Sequence, residues 1–294
     1  MELGLVGLGK MGNNMRERLR RAGHTVIGYD RNPEVSDTGS LADLVQRLAA
    51  PRLVWVMLPI QVVDQVIGEL AELLSEGDLV IDGGNTKWTA DARHAEQLSG
   101  KGIHFLDCGV SGGVWGLQNG YALMVGGAEA DVARAQPVFD ALKPSGDFGF
   151  VHAGEVGAGH FAKMVHNGIE YGLMQAYAEG WELLEAAGSV TNVPAVFNSW
   201  REGTVIRSWL LDLMVRALDD DPHLERIEGY AADSGEGRWT VNAAVDLGVP
   251  VPTMAAALFA RFTSQQDDSP SMKMVAAMRN QFGGHPVKAE DGKH

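Results

Sequence analysis

Cysteine is almost missing from this chain. Cys108 is the only one in 294 residues, so no intrachain disulfide can form, which fits a reducing compartment. Positive charge is also scarce: 24 lysines and arginines stand against 38 acidic residues, a net charge of -14. Such a balance argues against non-specific binding to nucleic acid or membrane surfaces and leaves only a local basic pocket for an anion. No apolar run is long enough to span a bilayer. Met1 and Glu2 lead straight into a strand-like run, without the basic start and apolar stretch of a signal peptide, so a cytoplasmic location is expected. Internal repeats and low-complexity blocks are absent, and the polar tail Lys288–His294 is expected to be frayed. What remains is an ordinary globular composition, 45% hydrophobic and 21% charged, on a chain long enough for two cores.

The first chemistry-bearing pattern is a glycine turn. Residues 3–7 read as a buried strand, followed at once by Gly7, Leu8, Gly9, Lys10, Met11 and Gly12, then by helix signals over Asn13–Arg21. A second strand, Thr25–Tyr29, ends at Asp30, 18 residues after Gly12. In this strand–turn–helix–strand context the glycines let the backbone approach a phosphate, and the helix N-terminus favours its charge. Asp30 stands where an acid bonds ribose hydroxyls and repels a 2′-phosphate. The cofactor set read here is residues 7–12 with Asp30 and Arg31, joined by Leu58, Pro59 and Asn85 at later strand ends. The structural alternative is a turn glycine set and a strand-ending aspartate.

Between Asp30 and the next buried strand, Leu53–Leu58, only one helix candidate fits, Ser40–Ala49, capped by Ser40. A strand–helix–strand crossover takes about 30 residues, so a third strand has no room here. That segment normally walls the adenosine half of a nicotinamide dinucleotide, and its loss argues against that cofactor. Helix Val62–Leu74, strand Asp78–Asp82, helix Thr89–Ser99 and strand Ile103–Cys108 follow. Two turns at strand ends are candidate ligand loops: Gly83-Gly84-Asn85-Thr86, and Gly109-Val110-Ser111-Gly112-Gly113, whose hydroxyl and N–H groups could meet an anion. Leu123–Val125 and Phe148–His152 complete a sheet whose last strands can run antiparallel.

Gly157–Leu184 reads as one long helix, apolar on most sides and therefore expected to be buried. Lys163, His166, Asn167 and Glu170 share one face at i, i+3, i+4 and i+7. Buried polar groups need partners, so this stripe is either a hydrogen-bond network between helices or a catalytic face with lysine and glutamate handling protons. The rest is helical, with candidates at Asn198–Leu218, Gly237–Leu247, Thr253–Thr263 and Ser271–Gln281. A Rossmann-like α/β domain, residues 1–158, followed by an all-α domain, residues 159–294, is the expected architecture. Arg279 and His285, on a helix-ending turn, could clamp a phosphate, or merely complement the helix macrodipole. No residue set is assigned to a metal.

Taken together, GLVGLGKMG, IDGGNT, SGGVWG, GAGHFAKMVHNGIEYGLMQAYAEG, IRSWLL, DSGEGRWT, LFARF and RNQFGGH make the chain resemble decarboxylating 6-phosphogluconate dehydrogenases of the shorter bacterial type, over nearly its whole length. The resemblance implies oxidation of C3 of 6-phosphogluconate, loss of C1 as carbon dioxide, and ribulose 5-phosphate as product. It makes Lys163 the base and Glu170 the acid. It gives the sugar-acid portion to Asn85, Ser111, Gly112, Gly113, His166 and Asn167, and the phosphate to Tyr171, Arg261, Arg279 and His285. It also implies a homodimer or homotetramer in which the C-terminal arginine and histidine complete a neighbour's site. The pruned segment after Asp30 favours the deazaflavin coenzyme F-420, known from some actinobacterial relatives, with NAD as the alternative. Competing readings are a 3-hydroxyacid dehydrogenase, which would need no phosphate clamp, and a non-catalytic nucleotide sensor, which would lack Lys163 or Glu170.

Overall fold

The computed structural model describes residues 1–288; the expectation for the tail 289–294 lies outside them. Alternation of side chains builds the first unit. In β1 (Glu2–Val6), β3 (Leu53–Val56) and β4 (Leu79–Asp82), residues Leu3, Leu5, Leu53, Trp55, Leu79 and Ile81 join one apolar cluster, while Val6, Val54, Val56 and Val80 join another. A strand buried on both faces needs a helix layer on each side. Met15 and Leu19 of α1 (Lys10–Arg21) lie in the first cluster; Leu44 of α2 (Leu41–Arg47) and Val63 and Ile67 of α3 (Ile60–Leu73) lie in the second.

The seven strands run in the order β2-β1-β3-β4-β5-β6-β7, with β2 at Thr25–Tyr29, β5 at His104–Ser111, β6 at Ala122–Gly127 and β7 at Phe150–Gly154. All neighbours pair in parallel except β5 and β6. The chain therefore turns back beyond β5, and β6 reaches its parallel neighbour β7 through α6 (Glu129–Leu142), a helix the sequence reading did not place. Two further helices, α4 (Asp91–Ser99) and the single-turn α5 (Gly116–Asn119), complete this half.

Among the described residues no additional strand lies between β2 and β3, as the short segment after Asp30 required. Residues 30–39 instead close the free edge of β2. Asp37 N–H donates to Gly28 O at 2.9 Å, and Gly28 N–H donates to Asp37 Oδ2 at 2.8 Å. Arg16 and Arg20 of α1 reach the same carboxylate. Burial pushes the Asp37 carboxyl up, but the Gly28 hydrogen bond and the two guanidinium charges outweigh it and hold it below the ordinary value. One aspartate thus covers an edge that would otherwise be open to pairing.

The chain divides into compact units, Met1–Asn167 and from Gly168 onward, within α7 (Ala158–Ala186), so Ala158 is the first residue of a helix common to both. The second unit is helical: α8 (Val193–Ser199), α9 (Trp209–Asp220), α10 (Glu236–Leu247), α11 (Pro252–Ser264) and α12 (Pro270–Gly283). Two expectations need correction. The Asn198–Leu218 helix is broken: Gly203 adopts φ 78, and Ser208 begins α9 anew by accepting from Leu211 N–H. Nor is α7 buried throughout, since Ile169, Leu173 and Leu183 are exposed. Among the described residues no helix is long and apolar enough to cross a membrane.

Candidate active site

Packing against β5 decides where Lys163 sits. A Cβ on Gly109 would lie 2.3 Å from Lys163 Cβ and 2.8 Å from Gly159 O, so only glycine lets the first turns of α7 lie this close to the strand. Lys163 Nζ donates to Asn167 Oδ1 at 2.6 Å and lies 3.4 Å from His166 Nδ1. His166 Nδ1 is 3.0 Å from Asn167 Oδ1, and its Nε2 is 3.5 Å from Ser111 Oγ at the end of β5. In the tautomer with the proton on Nδ1, the imidazole donates to the amide and accepts from the hydroxyl. Four residues singled out in sequence, with Ser111 and His166 55 positions apart, therefore form one connected polar group within the first unit. Gly112 and Gly113 follow with φ 137 and 52, conformations that suit glycine.

The other loops of this unit are fixed by short polar bonds. Asp82 accepts from Gly84 N–H at 3.0 Å and from the Thr86 hydroxyl at 2.7 Å, which shapes the turn presenting Asn85. A Cβ on Gly84 would strike Leu58 O at 2.4 Å, so this turn sits tightly on the end of β3. Leu58 is half-buried there, and exposed Pro59 opens α3.

The glycine turn lies at the carboxyl end of β1, where the strand order reverses and open α/β sheets bind ligands. A Cβ on Gly12 would lie 1.9 Å from Gly7 O, and one on Gly7 2.4 Å from Met57 O, while Gly9 at the start of α1 faces open space. That is a cradle with one open side at a helix N-terminus, and it suits a phosphate-bearing cofactor. Leu8 N–H is turned away from it, donating to Asp30 Oδ2 at 2.7 Å; Asp30 Oδ1 accepts from Asn32 N–H at 2.8 Å. Asp30 thus holds the turn and caps its own loop. Lys10 and Arg31 are exposed, and Met11 is half-buried.

In the helical unit, Tyr171 is buried on α7, with its Oη 3.2 Å from Ser234 Oγ. The Arg261 guanidinium stacks 3.4 Å from the Tyr171 ring centroid and donates to Ala232 O at 3.1 Å. Two of the four expected phosphate residues are thereby brought together, and Ser234 joins them; its signal was the quoted DSGEGRWT motif, from which no residue was singled out. Glu170 is half-buried one position before Tyr171. Arg279 and His285 do not join this pair. Both are exposed, on α12 and just past its Gly284 cap, and within its unit α12 packs extensively against no other described element.

Sequence reasoning missed a buried acidic group beneath α7. Asp91, Asp107 and His160 place ligand-type atoms within 4.8 Å of one another, as do Asp82, Asp91 and His94. The Asp107 oxygens already accept from Gly157 N–H at 2.6 Å and His160 N–H at 2.8 Å, and His160 Nδ1 lies 2.9 Å from Asp91. Cβ atoms on Gly126 and Gly159 would meet the Asp107 oxygens at 2.3 and 2.8 Å, so this space is filled by protein.

Residues 2–145 match the NAD binding domain of 6-phosphogluconate dehydrogenase, and residues 159–294 match the C-terminal domain of the same enzyme. Over 98% of the chain it is 42% identical to YqeC of Bacillus subtilis, covering 99% of that protein. The chain belongs to the 6-phosphogluconate dehydrogenase family. It is 40% identical, over 99% of its own length and 100% of the relative's, to the NAD(+)-dependent decarboxylating 6-phosphogluconate dehydrogenase of Haloferax volcanii. It spans about three-fifths of longer family members, 61% of the Synechococcus elongatus enzyme at 36% identity. In structure it resembles Plasmodium falciparum 6-phosphogluconate dehydrogenase, with a TM-score of 0.84 at 27% identity over 100% of this chain and 67% of that one. Mycobacterium tuberculosis 3-hydroxyisobutyrate dehydrogenase, at 24% identity and TM-score 0.71, shares the fold. A family member of this length is thus named NAD-dependent, and shortness alone loses its force as an argument for a deazaflavin.

Proposed function

We propose that this chain oxidatively decarboxylates 6-phosphogluconate to ribulose 5-phosphate and carbon dioxide, with NAD as hydride acceptor. The observation that carries the reading is the Lys163–Asn167–His166–Ser111 group at the end of β5, on the same helix as Glu170. The chain's residues divide the work. Ser111, Gly112, Gly113, Asn85, His166 and Asn167 bind the sugar-acid end, and Tyr171 with Arg261 binds the phosphate. Residues 7–12 hold the cofactor's phosphates, with Asp30, Arg31, Leu58 and Pro59 around them; Asp30 repels the 2′-phosphate of NADP. Residues 1–158 serve as the cofactor domain and 159–294 as the helical substrate domain.

Lys163 takes the proton of the C3 hydroxyl, while NAD held by residues 7–12 would supply the acceptor for the C3 hydride. The 3-keto acid then loses its carboxyl group as carbon dioxide, because the C3 carbonyl accepts the electron pair. Lys163, now an ammonium, stabilises the developing negative charge on that oxygen. Glu170, two helical turns further along α7, supplies the proton to C1 of the enediol. Lys163→Met is expected to abolish turnover in a folded protein; a purely structural stripe would leave turnover intact.

A second copy fits the same reading. Exposed Ile169 and Leu173 on α7 and Met272, Met274 and Met278 on α12 leave apolar surface for it, with Arg279 and His285 completing its site in a homodimer or homotetramer. A cytoplasmic setting goes with this proposal. Coenzyme F-420 stays the second reading, favoured by one observation, the missing strand beyond β2. Mixing the protein with 6-phosphogluconate and, separately, NAD, NADP and oxidised F-420 tests the assignment by absorbance. NAD reduction alone supports the first reading, and F-420 bleaching alone the second. No change with any of them refutes the substrate, and revives the hydroxyacid or sensor readings.

A further inference from the structure

Directly beneath the turn that carries Lys163 lies a buried group of charged side chains with no place in the chemistry above. Asp91 of α4, Asp107 of β5 and His160 of α7 are all nearly inaccessible. Three ionisable groups removed from water are costly unless each is bonded. Here each is. Asp107 spends one oxygen on Gly157 N–H and the other on His160 N–H, satisfying two of the orphan donors at the start of α7. The His160 ring is held through Nδ1 by Asp91, at 2.9 and 3.0 Å from its two oxygens; Nε2 has no partner among the described residues. Asp91 is the ring's only polar anchor in that set. One turn earlier on α4's side of the fold, Trp88 packs edge-on to Phe161 at 5.2 Å, a second tie between the same two segments.

The geometry connects this group to the reacting lysine. His160 precedes Lys163 by three residues, so both lie on adjacent turns of one helix face. Asp107 precedes by two residues Gly109, the glycine against which Lys163 Cβ rests, so Asp107 grips α7 from the same strand on which the lysine is seated. A helix start held at both its backbone and a side chain cannot rotate or slide without breaking charge-assisted bonds. Rotation of α7 by a fraction of a turn would break the His166–Ser111 contact and lift Lys163 from its seat on Gly109.

We propose that Asp91, Asp107 and His160 are positioning residues that set the register of α7 against β5 and thereby seat Lys163 for proton abstraction. The inference rests on the reading of Lys163 as the base. All three are buried away from the surface, and the device is geometric: it needs an acceptor at position 91 and a donor at position 160.

The experiment compares Asp91→Asn, Asp91→Ala and His160→Leu with wild type and Lys163→Met, measuring kcat and KM for 6-phosphogluconate alongside the rate at which an amine-directed reagent labels Lys163, read by peptide mass spectrometry. Asp91→Asn keeps the acceptor, so kcat stays within about threefold of wild type; Asp91→Ala and His160→Leu lower kcat by about tenfold or more while KM moves less than about threefold, as misplacement of a reacting group requires. Labelling of Lys163 changes in the two disruptive variants and not in Asp91→Asn. If a disruptive single variant does not fold, Asp91→Leu/His160→Leu, which buries no unpaired charge, replaces it with the same expected loss. Folded disruptive variants with wild-type kcat and labelling overturn the proposal, as does an Asp91→Asn variant as impaired as Asp91→Ala. Retained turnover in Lys163→Met would instead overturn the assignment of the base, so the two failures are distinguishable.

Discussion

Replacing Gly109 with alanine should cripple turnover without unfolding the protein. The new Cβ would lie 2.3 Å from Lys163 Cβ and 2.8 Å from Gly159 O. Non-bonded carbons settle about 3.5–4.0 Å apart, so more than about 1 Å must be absorbed between β5 and α7. The strand cannot give readily, being paired on one side to β4 and on the other to β6. The helix start is capped by Asp107 from the same strand. Overpacking of this kind costs about 1–3 kcal/mol, which a domain of ordinary stability survives. A misplacement of about 1 Å at a reacting group costs about a hundredfold in rate. Gly109 is not in the left-handed region, so the effect is steric and not one of backbone strain. Steady-state turnover of 6-phosphogluconate, read beside thermal unfolding, checks this. Gly39→Ala, where an added Cβ meets nothing within 4 Å, is the control. A folded Gly109→Ala enzyme with kcat within about threefold of wild type would refute the argument that Lys163 is seated on this glycine.

Stability should depend on pH through His160. Burial pulls its pKa down, but the Asp91 hydrogen bond and the charges of Asp91, Asp82 and Asp107 outweigh this and raise it from 6.5 to about 9. A raised folded pKa means the contribution is complete below pH 6.5 and is lost as pH rises through about 9, so the stability gap between wild type and His160→Gln in urea should narrow across that window. Arg261→Met keeps apolar contact with Tyr171 but removes the cation, and should raise KM for 6-phosphogluconate by about ten- to a hundredfold; an unchanged KM would remove Arg261 from the phosphate site. Lys163→Met and Arg279→Met, each inactive alone, should regain about a quarter of wild-type activity when dissociated and reassembled as mixed dimers. No recovery would place Arg279 outside a neighbour's site.

Most of the first unit was legible because its rules are local. Strands such as Leu53–Val56 are continuous apolar runs, and the glycine turn announces itself by spacing. The missing third strand was legible by counting residues between Asp30 and Leu53. Helix α6 was not, because Pro137 stands inside it, where a proline ordinarily marks the end of a helix. The break at 200–208 escaped because apolar residues continue on both sides, and only Gly203 and Ser208 mark it. In the site, the helical stripe of Lys163, His166, Asn167 and Glu170 was visible from its spacing.

By itself, the sequence determined which residues could carry the chemistry: i, i+3, i+4 and i+7 share a helix face wherever the helix lies. Only the tertiary structure decided that Ser111 would meet His166, that Gly109 would be the floor under Lys163, and that Asp91, Asp107 and His160 would close around the start of α7. Those contacts join residues 50 to 70 positions apart, through space set by how a strand, its neighbours and a helix pack. The same holds for Asp37, an unremarkable loop acid in sequence that closes an open sheet edge in the fold. Spacing along the chain encodes faces, whereas the partner across a face is chosen by close packing, which no local pattern records.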